Sequence, residues 1–130
     1  MRLLVDTHIF LWYITGDARL SEHWKTLLRD PDNEVFLSVV SVWEVSIKYR
    51  LGKLPLPDQP ETFLPEQRRK HNFAPLALEE NAVRHLATLP PLHRDPFDRM
   101  LICQALEYEL ILVTVDTAIQ SYPVSILPAG

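Results

Sequence analysis

Short apolar runs alternate with amphipathic segments along the chain. The clearest runs are "RLLV" at residues 2–5, "EVFLS" at 34–38 and "LILVTV" at 110–115. An apolar, β-branched run such as the last is typical of a strand buried on both faces in a parallel sheet. Residues 72–77 and 124–128 are predicted to add two further short strands.

The segments between these strands have helical patterns. One follows the first strand and ends at Gly16, and the others cover residues 21–30, 41–53, 78–89 and 96–109. A proline-rich stretch at 54–67 predicts a loop followed by a short helix. Strands and helices that alternate with short connections predict an α/β fold, with helices on both faces of a central, mainly parallel, twisted sheet. We interpret residues 1–130 as a single domain.

Composition narrows the class of protein. The 130 residues are 47% hydrophobic and carry a net charge of −4, which argues against coating nucleic acid by bulk electrostatics but permits a nuclease that gathers its acids in one site. The basic segments at 48–53 and 68–71 either contact phosphates or form ordinary solvated helix surface. No run approaches the roughly 18 apolar residues of a membrane span. The lone Cys103 is expected in the core of a protein from a reducing cytoplasm.

Two aspartates follow predicted strands. Asp6 ends the first strand and Asp116 ends the strand at 110–115. Because the functional cleft of such sheets lies at the carboxyl ends of the strands, both side chains are expected at one mouth. The alternative is that each aspartate only caps the helix or turn that follows it.

Two further acids are expected at the third position of a helix. Ser41 is predicted to be the N-cap for Glu44, and Asp95 the N-cap for Asp98, with Pro96 at the first helical position. Taken singly, each is explained by a capping box or by the helix dipole, which favours a carboxylate there by roughly 0.3–1 kcal/mol. Capping does not explain why all these acids should converge, whereas a site for hard cations does. Carboxylates without Cys or His partners suit Mg²⁺ or Mn²⁺ and not zinc.

Four stretches resemble one family of nucleases. "LLVDTHIFLWY", "SVVSVWEVSIKYRLGKL", "LPPLHRDPFDRMLICQALEYEL" and "LVTVD" are similar to segments of the PIN-domain ribonucleases, specifically the VapC-like toxins of bacterial type II toxin–antitoxin pairs. The similarity spans essentially the whole chain, and "HRDPFDRML" followed by "TVD" is its most specific part. The resemblance implies a three-layer α/β/α fold and a metal-dependent endoribonuclease.

The resemblance also implies roles for individual residues. The family's acidic quartet matches Asp6, Glu44, Asp98 and Asp116, as catalytic residues and metal ligands, and its small hydroxyl positions match Thr7 and Thr114. We interpret Asp95 as a helix N-cap, with an accessory role in the acidic site as the alternative. His93, Arg94 and Arg99 are candidates for contact with RNA phosphates, although both arginines are equally explained by ion pairs with nearby acids.

The expected chemistry follows from these ligands. One or two Mg²⁺ or Mn²⁺ ions are expected to lower the pKa of a bound water, direct it at the scissile phosphorus and neutralise charge on the phosphate oxygens. Since water and not the ribose 2′-hydroxyl is the nucleophile, the products are expected to carry a 5′ phosphate and a 3′ hydroxyl.

Partners are implied by the family more than by the residues. A toxin of this kind implies RNA as substrate, a cognate antitoxin protein that covers the cleft, and a homodimer. The large apolar residues around Trp12 and Trp43 either form part of such an interface or, as we expect for each alone, lie in the core. The alternative function is a non-catalytic module, either an inactive PIN domain or a receiver domain. A receiver requires an acid pair after the first strand and a late lysine, and "VDTH" and "VTVDTA" provide neither.

Overall fold

A four-stranded parallel sheet forms the centre of the computed structural model, which describes residues 1–93 and 95–129. The strands lie in the order β3-β2-β1-β4, and they are β1 (Arg2–Val5), β2 (Glu34–Ser38), β3 (Ala74–Leu76) and β4 (Ile111–Val113). Every neighbouring pair is parallel. The predicted parallel sheet is therefore confirmed, and β1 lies beside both β2 and β4.

Helices cover both faces of the sheet. They are α1 (Thr7–Thr15), α2 (Glu22–Arg29), α3 (Val39–Arg50), α4 (Pro60–Lys70), α5 (Glu80–Val83), α6 (Pro96–Tyr108) and α7 (Thr117–Gln120). The helix predicted at 78–89 is shorter than expected, because α5 tightens into a 3₁₀ turn at Arg84–Ala87. Among the described residues, no helix has the length and apolar character needed to cross a membrane.

Alternating side chains of the sheet supply two separate cores. Leu3 and Val5 of β1 pack with α1, α2 and α4 on one face, whereas Leu4 packs with α6 and α7 on the other. Because successive strand residues point to opposite faces, a strand that is apolar throughout must be covered on both sides. This is the predicted three-layer α/β/α arrangement, and Cys103 lies fully buried in the second core, as expected.

The strand predicted at 124–128 is wrong, because this segment forms one isolated bridge and not a strand. Ile126 forms a single parallel bridge with Leu112, supported by hydrogen bonds from the Leu112 amide to Ser125 and from the Leu127 amide to Leu112. Prolines at 123 and 128 bound this segment and have no amide hydrogen for a sheet, which limits the pairing to one bridge.

The predicted N-cap of α3 is also wrong. The helix begins at Val39, directly after β2, and its cap is Ser38, whose hydroxyl accepts a hydrogen bond from the Val40 amide. The Ser38 hydroxyl donates in turn to Gln104 of α6 at 2.6 Å. Ser41 therefore lies at the third helical position, and Glu44 lies at the sixth instead of the third.

Trp43 does not lie in the core. Its side chain is 54% exposed, and it contacts the Phe97 ring edge-on at a centroid distance of 4.8 Å. Trp12, in contrast, is partly buried against the first core, as expected. The difference follows from position, because α3 presents to solvent the face that carries Trp43.

We predict that Ser38→Ala lowers the free energy of unfolding by about 2 kcal/mol, because it removes the cap of α3 and leaves the buried Gln104 carbonyl without its donor. Urea unfolding followed by circular dichroism measures this change. Ser21→Ala is the matched control, since Ser21 caps α2 but is itself exposed, and its cost should be about 1 kcal/mol. Equal costs for the two variants would contradict the role of the Ser38–Gln104 bond.

Candidate functional site

The carboxyl ends of β1 and β4 bring two acids to one edge of the sheet. Val5 is paired with Val113, the last residue of β4, so Asp6 emerges beside the segment that leads to Asp116. Both aspartates are also helix N-caps: Asp6 accepts from the His8 amide at 2.8 Å and Asp116 from the Ala118 amide at 2.8 Å. Capping and convergence, which the sequence presents as alternatives, therefore occur together.

Asp6 is held by a buried hydroxyl. Only 4% of Asp6 is exposed, and its second oxygen, Oδ2, accepts a hydrogen bond of 2.6 Å from the hydroxyl of Thr114. Burial raises the pKa of Asp6, the hydrogen bonds from Thr114 and the His8 amide lower it, and the net direction is upward. The ionised form of a buried acid of this kind is stabilised strongly when a positive charge comes close.

Glu44 is held on both of its oxygens. The Thr7 hydroxyl lies 2.7 Å from Oε1 of Glu44 and 2.8 Å from the hydroxyl of Ser41, and the Lys48 ammonium donates to Oε2 one helical turn further on. Glu44 is 2% exposed. Burial alone lowers the pKa of Lys48, but the hydrogen bond to Glu44 and the nearby carboxylates outweigh it and raise that pKa overall. Glu44 is thus a buried carboxylate with a built-in counter-charge.

Asp98 lies at the third position of α6, as predicted. Pro96 is at the first helical position, and the Asp95 carboxylate accepts from the amides of Phe97 and Asp98 at 2.8 and 3.2 Å. Asp95 is therefore an N-cap, and it also lines the acidic cavity described below. Burial, followed by the negative charges of Asp95, Asp6 and Glu44, raises the pKa of Asp98 to about 7.

These carboxylates line one cavity of about 340 Å³. Its wall contains Asp6, Glu44, Asp98 and Asp116, together with Asp95 and His93. The cavity opens at the carboxyl edge of the sheet, where parallel α/β folds carry their ligand sites. The structure thus brings together all four acids that the sequence proposes for the site.

His93, which the sequence suggests only as a contact for RNA phosphates, lies in this cavity beside two of the acids. Its Nε2 lies 2.9 Å from Oδ2 of Asp98 and 3.3 Å from Oδ2 of Asp116. Two of the acids therefore have a histidine as a close neighbour, and the expectation that carboxylates alone ligate the cation stays a prediction. The signal was present, because His93 stands two residues before the Asp95 cap, and a histidine so placed is carried to the start of α6.

The two predicted arginines have different outcomes. The Arg99 guanidinium donates to the Pro90 carbonyl at 3.2 Å and to the Tyr122 hydroxyl at 3.4 Å, so in this structure it cross-links the segment before α6. Arg94 lies outside the described residues. Contact of either arginine with RNA stays a prediction.

The donor set fits a divalent cation. Among the described residues, one group has ligand atoms that all lie within 4.8 Å of one another, and it consists of His93, Asp98 and Asp116. Asp6 and Glu44 line the same cavity. Oxygen-rich sites of this kind suit Mg²⁺ or Mn²⁺, and the pKa of Asp98 is raised by its burial and then by the neighbouring carboxylates, both of which favour a nearby positive charge.

The comparisons with known proteins agree with this architecture. A family model described as "PIN domain" matches residues 3–124, so the chain belongs to the PIN domain family. The curated protein Ribonuclease VapC16 of Mycobacterium tuberculosis is 34% identical over 61 residues, which are 47% of this chain and 43% of that protein. The chain therefore matches less than half the length of this relative.

Solved structures share the fold at low sequence identity. The structure of VapBC2 from Rickettsia felis bound to a DNA fragment from its promoter has a TM-score of 0.73 and 17% identity, with 98% of each chain covered. The structure of VapBC-1 from nontypeable Haemophilus influenzae has a TM-score of 0.62 and 18% identity, covering 92% of this chain and 90% of that one. At this level of identity the likeness establishes the α/β/α fold.

We predict that Asp98→Asn stabilises the metal-free protein at pH 8 but has little effect at pH 4. The pKa of Asp98 is raised in the folded state to about 7, so the folded protein binds more protons than the unfolded chain between about pH 4 and 7, and stability falls as the pH rises. Removing the charge should recover on the order of 2 kcal/mol at pH 8.

Urea unfolding in the presence of a chelator measures this difference. Asp58→Asn is the control, because Asp58 is an exposed loop acid, and its substitution should change stability equally little at both pH values. An Asp98→Asn effect that is the same at pH 4 and pH 8 would contradict the electrostatic explanation.

Proposed function

We propose that this chain is a metal-dependent endoribonuclease and the toxin of a toxin–antitoxin pair, acting as a single PIN-like domain over residues 1–130. The observation that carries the proposal is the cavity in which Asp6, Glu44, Asp98 and Asp116 meet at the carboxyl edge of the sheet. Membership of the PIN domain family and the partial match to a curated ribonuclease support the same conclusion.

The cation is proposed to be Mg²⁺, with Mn²⁺ as the alternative, and the proposed ligands come from the four acids. When bound, such an ion supplies Lewis acidity for activating water and positive charge for the phosphate oxygens. The raised pKa of Asp98 supports this assignment, because a cation that relieves the repulsion among these acids binds with a favourable electrostatic free energy.

Some residues of the site hold the acids in place, and others are proposed to bind the cation. Thr114 holds Asp6 and Thr7 holds Glu44 through short hydrogen bonds, while Lys48 balances the charge of Glu44. Asp98 and Asp116 direct their Oδ2 atoms towards a common point near His93. We infer that Asp98 and Asp116 are the more accessible ligands, since Asp6 and Glu44 are almost fully buried.

The proposed partners are an RNA substrate and a cognate antitoxin protein. Structures of VapBC toxin–antitoxin proteins share the fold over nearly the whole chain, which supports a protein partner of this kind. An acidic cavity is complementary to a basic side chain, so we expect an antitoxin to insert an arginine or a lysine near Asp98 and Asp116.

The decisive experiment is cleavage of end-labelled total RNA by the purified chain in Mg²⁺ or Mn²⁺. We predict cutting that stops when a chelator is added and that falls at least about 100-fold in Asp98→Asn. The products should carry 5′ phosphates. Asp58→Asn should cut normally, because this exposed loop acid lies away from the cavity.

Three results would contradict the proposal. Cutting that survives Asp98→Asn would assign the chemistry to another site or to a contaminant. Products with 2′,3′-cyclic phosphate ends would exclude water as the nucleophile. Failure to cut any RNA while the metal still binds would favour the alternative, an inactive PIN domain that acts by binding.

We further propose that the chain forms a homodimer through α3. Four large apolar residues, each at least 37% exposed, recur every four positions along this helix and its C-cap: Val39, Trp43 and Ile47 in the helix, and Leu51 at the cap. Residues four apart share one face of a helix, so they form a continuous apolar row of about 18 Å. A second copy of the chain can cover this row with its own.

We predict that Trp43→Lys weakens the dimer at least tenfold, because a large aromatic residue in the middle of an interface contributes most to binding. Light scattering after size-exclusion chromatography, over a range of concentrations, measures the change. Val83→Lys is the control, since Val83 is an exposed apolar residue of α5 outside the row. A wild-type chain that stays monomeric at high concentration would exclude this interface.

A further inference from the structure

His93 connects the two most accessible carboxylates of the site. Its Nε2 lies 2.9 Å from Oδ2 of Asp98 and makes a hydrogen bond of 3.3 Å with Oδ2 of Asp116. Asp98 lies in the first turn of α6, whereas Asp116 follows β4 and caps α7. One imidazole therefore lies between acids of two different elements. The His93 side chain is 18% exposed, which leaves it limited freedom to leave this position.

The other ring nitrogen determines where the proton is. The backbone N–H of Asp95 donates to Nδ1 of His93 at 3.3 Å, so Nδ1 is an acceptor and carries no hydrogen. The proton of the neutral ring then lies on Nε2, which is also the only arrangement in which Nε2 donates to a carboxylate. The backbone at the start of α6 therefore selects the Nε2–H form.

This form is the wrong one for a metal ligand. A histidine that ligates through Nε2 places its proton on Nδ1 and donates that proton to a carboxylate, a carbonyl or water. At His93 a ligating Nε2 would turn Nδ1–H towards the N–H of Asp95, and two donors would face each other. The carboxylates have no such conflict, because the Asp116 oxygen that accepts from His93 and the Asp98 oxygen beside it each keep a lone pair free for a cation.

We propose that His93 is a positioning residue: its Nε2–H donates to Asp116 while the ring lies against the Asp98 carboxylate, which keeps the two acids together from outside the metal shell, and its nitrogen does not bind the metal. The proposal rests on the proposed metal-dependent function and adds a residue to it. In the close group of three residues, Asp98 and Asp116 are then the metal ligands and His93 is the hydrogen-bond donor.

Residues outside the cavity fix His93 in this position. The buried Tyr122 hydroxyl accepts hydrogen bonds from the backbone amides of Leu92 and His93 at 3.1 and 2.8 Å. Arg99 donates to the same hydroxyl at 3.4 Å and to the Pro90 carbonyl at 3.2 Å. Tyr122 and Arg99 thus anchor the segment that carries His93. These bonds hold the backbone of the segment without using the His93 imidazole, which is therefore free to contact the acids in the cavity.

The first test uses the wild-type protein and needs no substitution. Side-chain ¹⁵N NMR of the metal-free protein should identify the neutral Nε2–H form for His93, assigned by its absence in His93→Gln. Pulsed EPR of the protein loaded with Mn²⁺ alone should show no directly bonded ¹⁴N. An Nδ1–H form, or a ¹⁴N coupling that disappears in His93→Gln, would overturn the proposal and make His93 a ligand.

The second test measures Mn²⁺ affinity by calorimetry. His93→Leu should weaken binding about tenfold, as expected when a partner of a ligand is lost. His93→Gln retains an N–H donor of similar reach and should recover most of that loss. His23→Leu is the matched control, since His23 is an exposed histidine of α2, and its affinity should equal that of the wild type.

The outcomes separate this proposal from the proposed function. Unchanged affinity in a folded His93→Leu protein would overturn the positioning role while the metal site stands. Directly bonded ¹⁴N from His93 would do the same, since the metal still binds. A wild-type protein that binds no Mn²⁺ at all would overturn both proposals.

Discussion

The repulsion among carboxylates buried at one edge of a parallel sheet is the constraint on which the rest of the site depends. Asp6 and Glu44 are almost fully buried, and burial, together with the charges of Asp95, Asp6 and Glu44, raises the pKa of Asp98 to about 7. Buried charges without partners are costly. Each of these acids is accordingly surrounded by donors: a helix N-terminus, a threonine hydroxyl, an ammonium or an imidazole.

This compensation is unequal across the site, and the inequality has a chemical consequence. Asp6 and Glu44 are held by side chains beneath the cavity, Thr114 for the first and Thr7 with Lys48 for the second. Asp98 keeps a raised pKa despite its contact with His93. Asp6 and Glu44 are thus held by the protein's own donors, and under the proposed function a bound cation supplies the positive charge that the site still lacks.

Local sequence rules succeeded where a motif and its structural cause lie in the same few residues. The Asp95 cap, Pro96 at the first helical position and Asp98 at the third are all found as predicted, because capping is decided within one turn. The same rule was wrong at Ser41. There β2 passes directly into α3 and Ser38 becomes the cap, since its hydroxyl also bonds Gln104, a partner 66 residues away.

The sequence by itself determined the layered α/β fold and the four acids of the candidate site, because strand periodicity, helix signals and the family's motifs are all written in local residue order. Tertiary structure alone decided the rest. It buried Glu44 beside Thr7 of α1, exposed Trp43 on the face of α3, and brought Asp116 to His93. These features depend on how elements that are separate in the chain pack against one another and against the sheet.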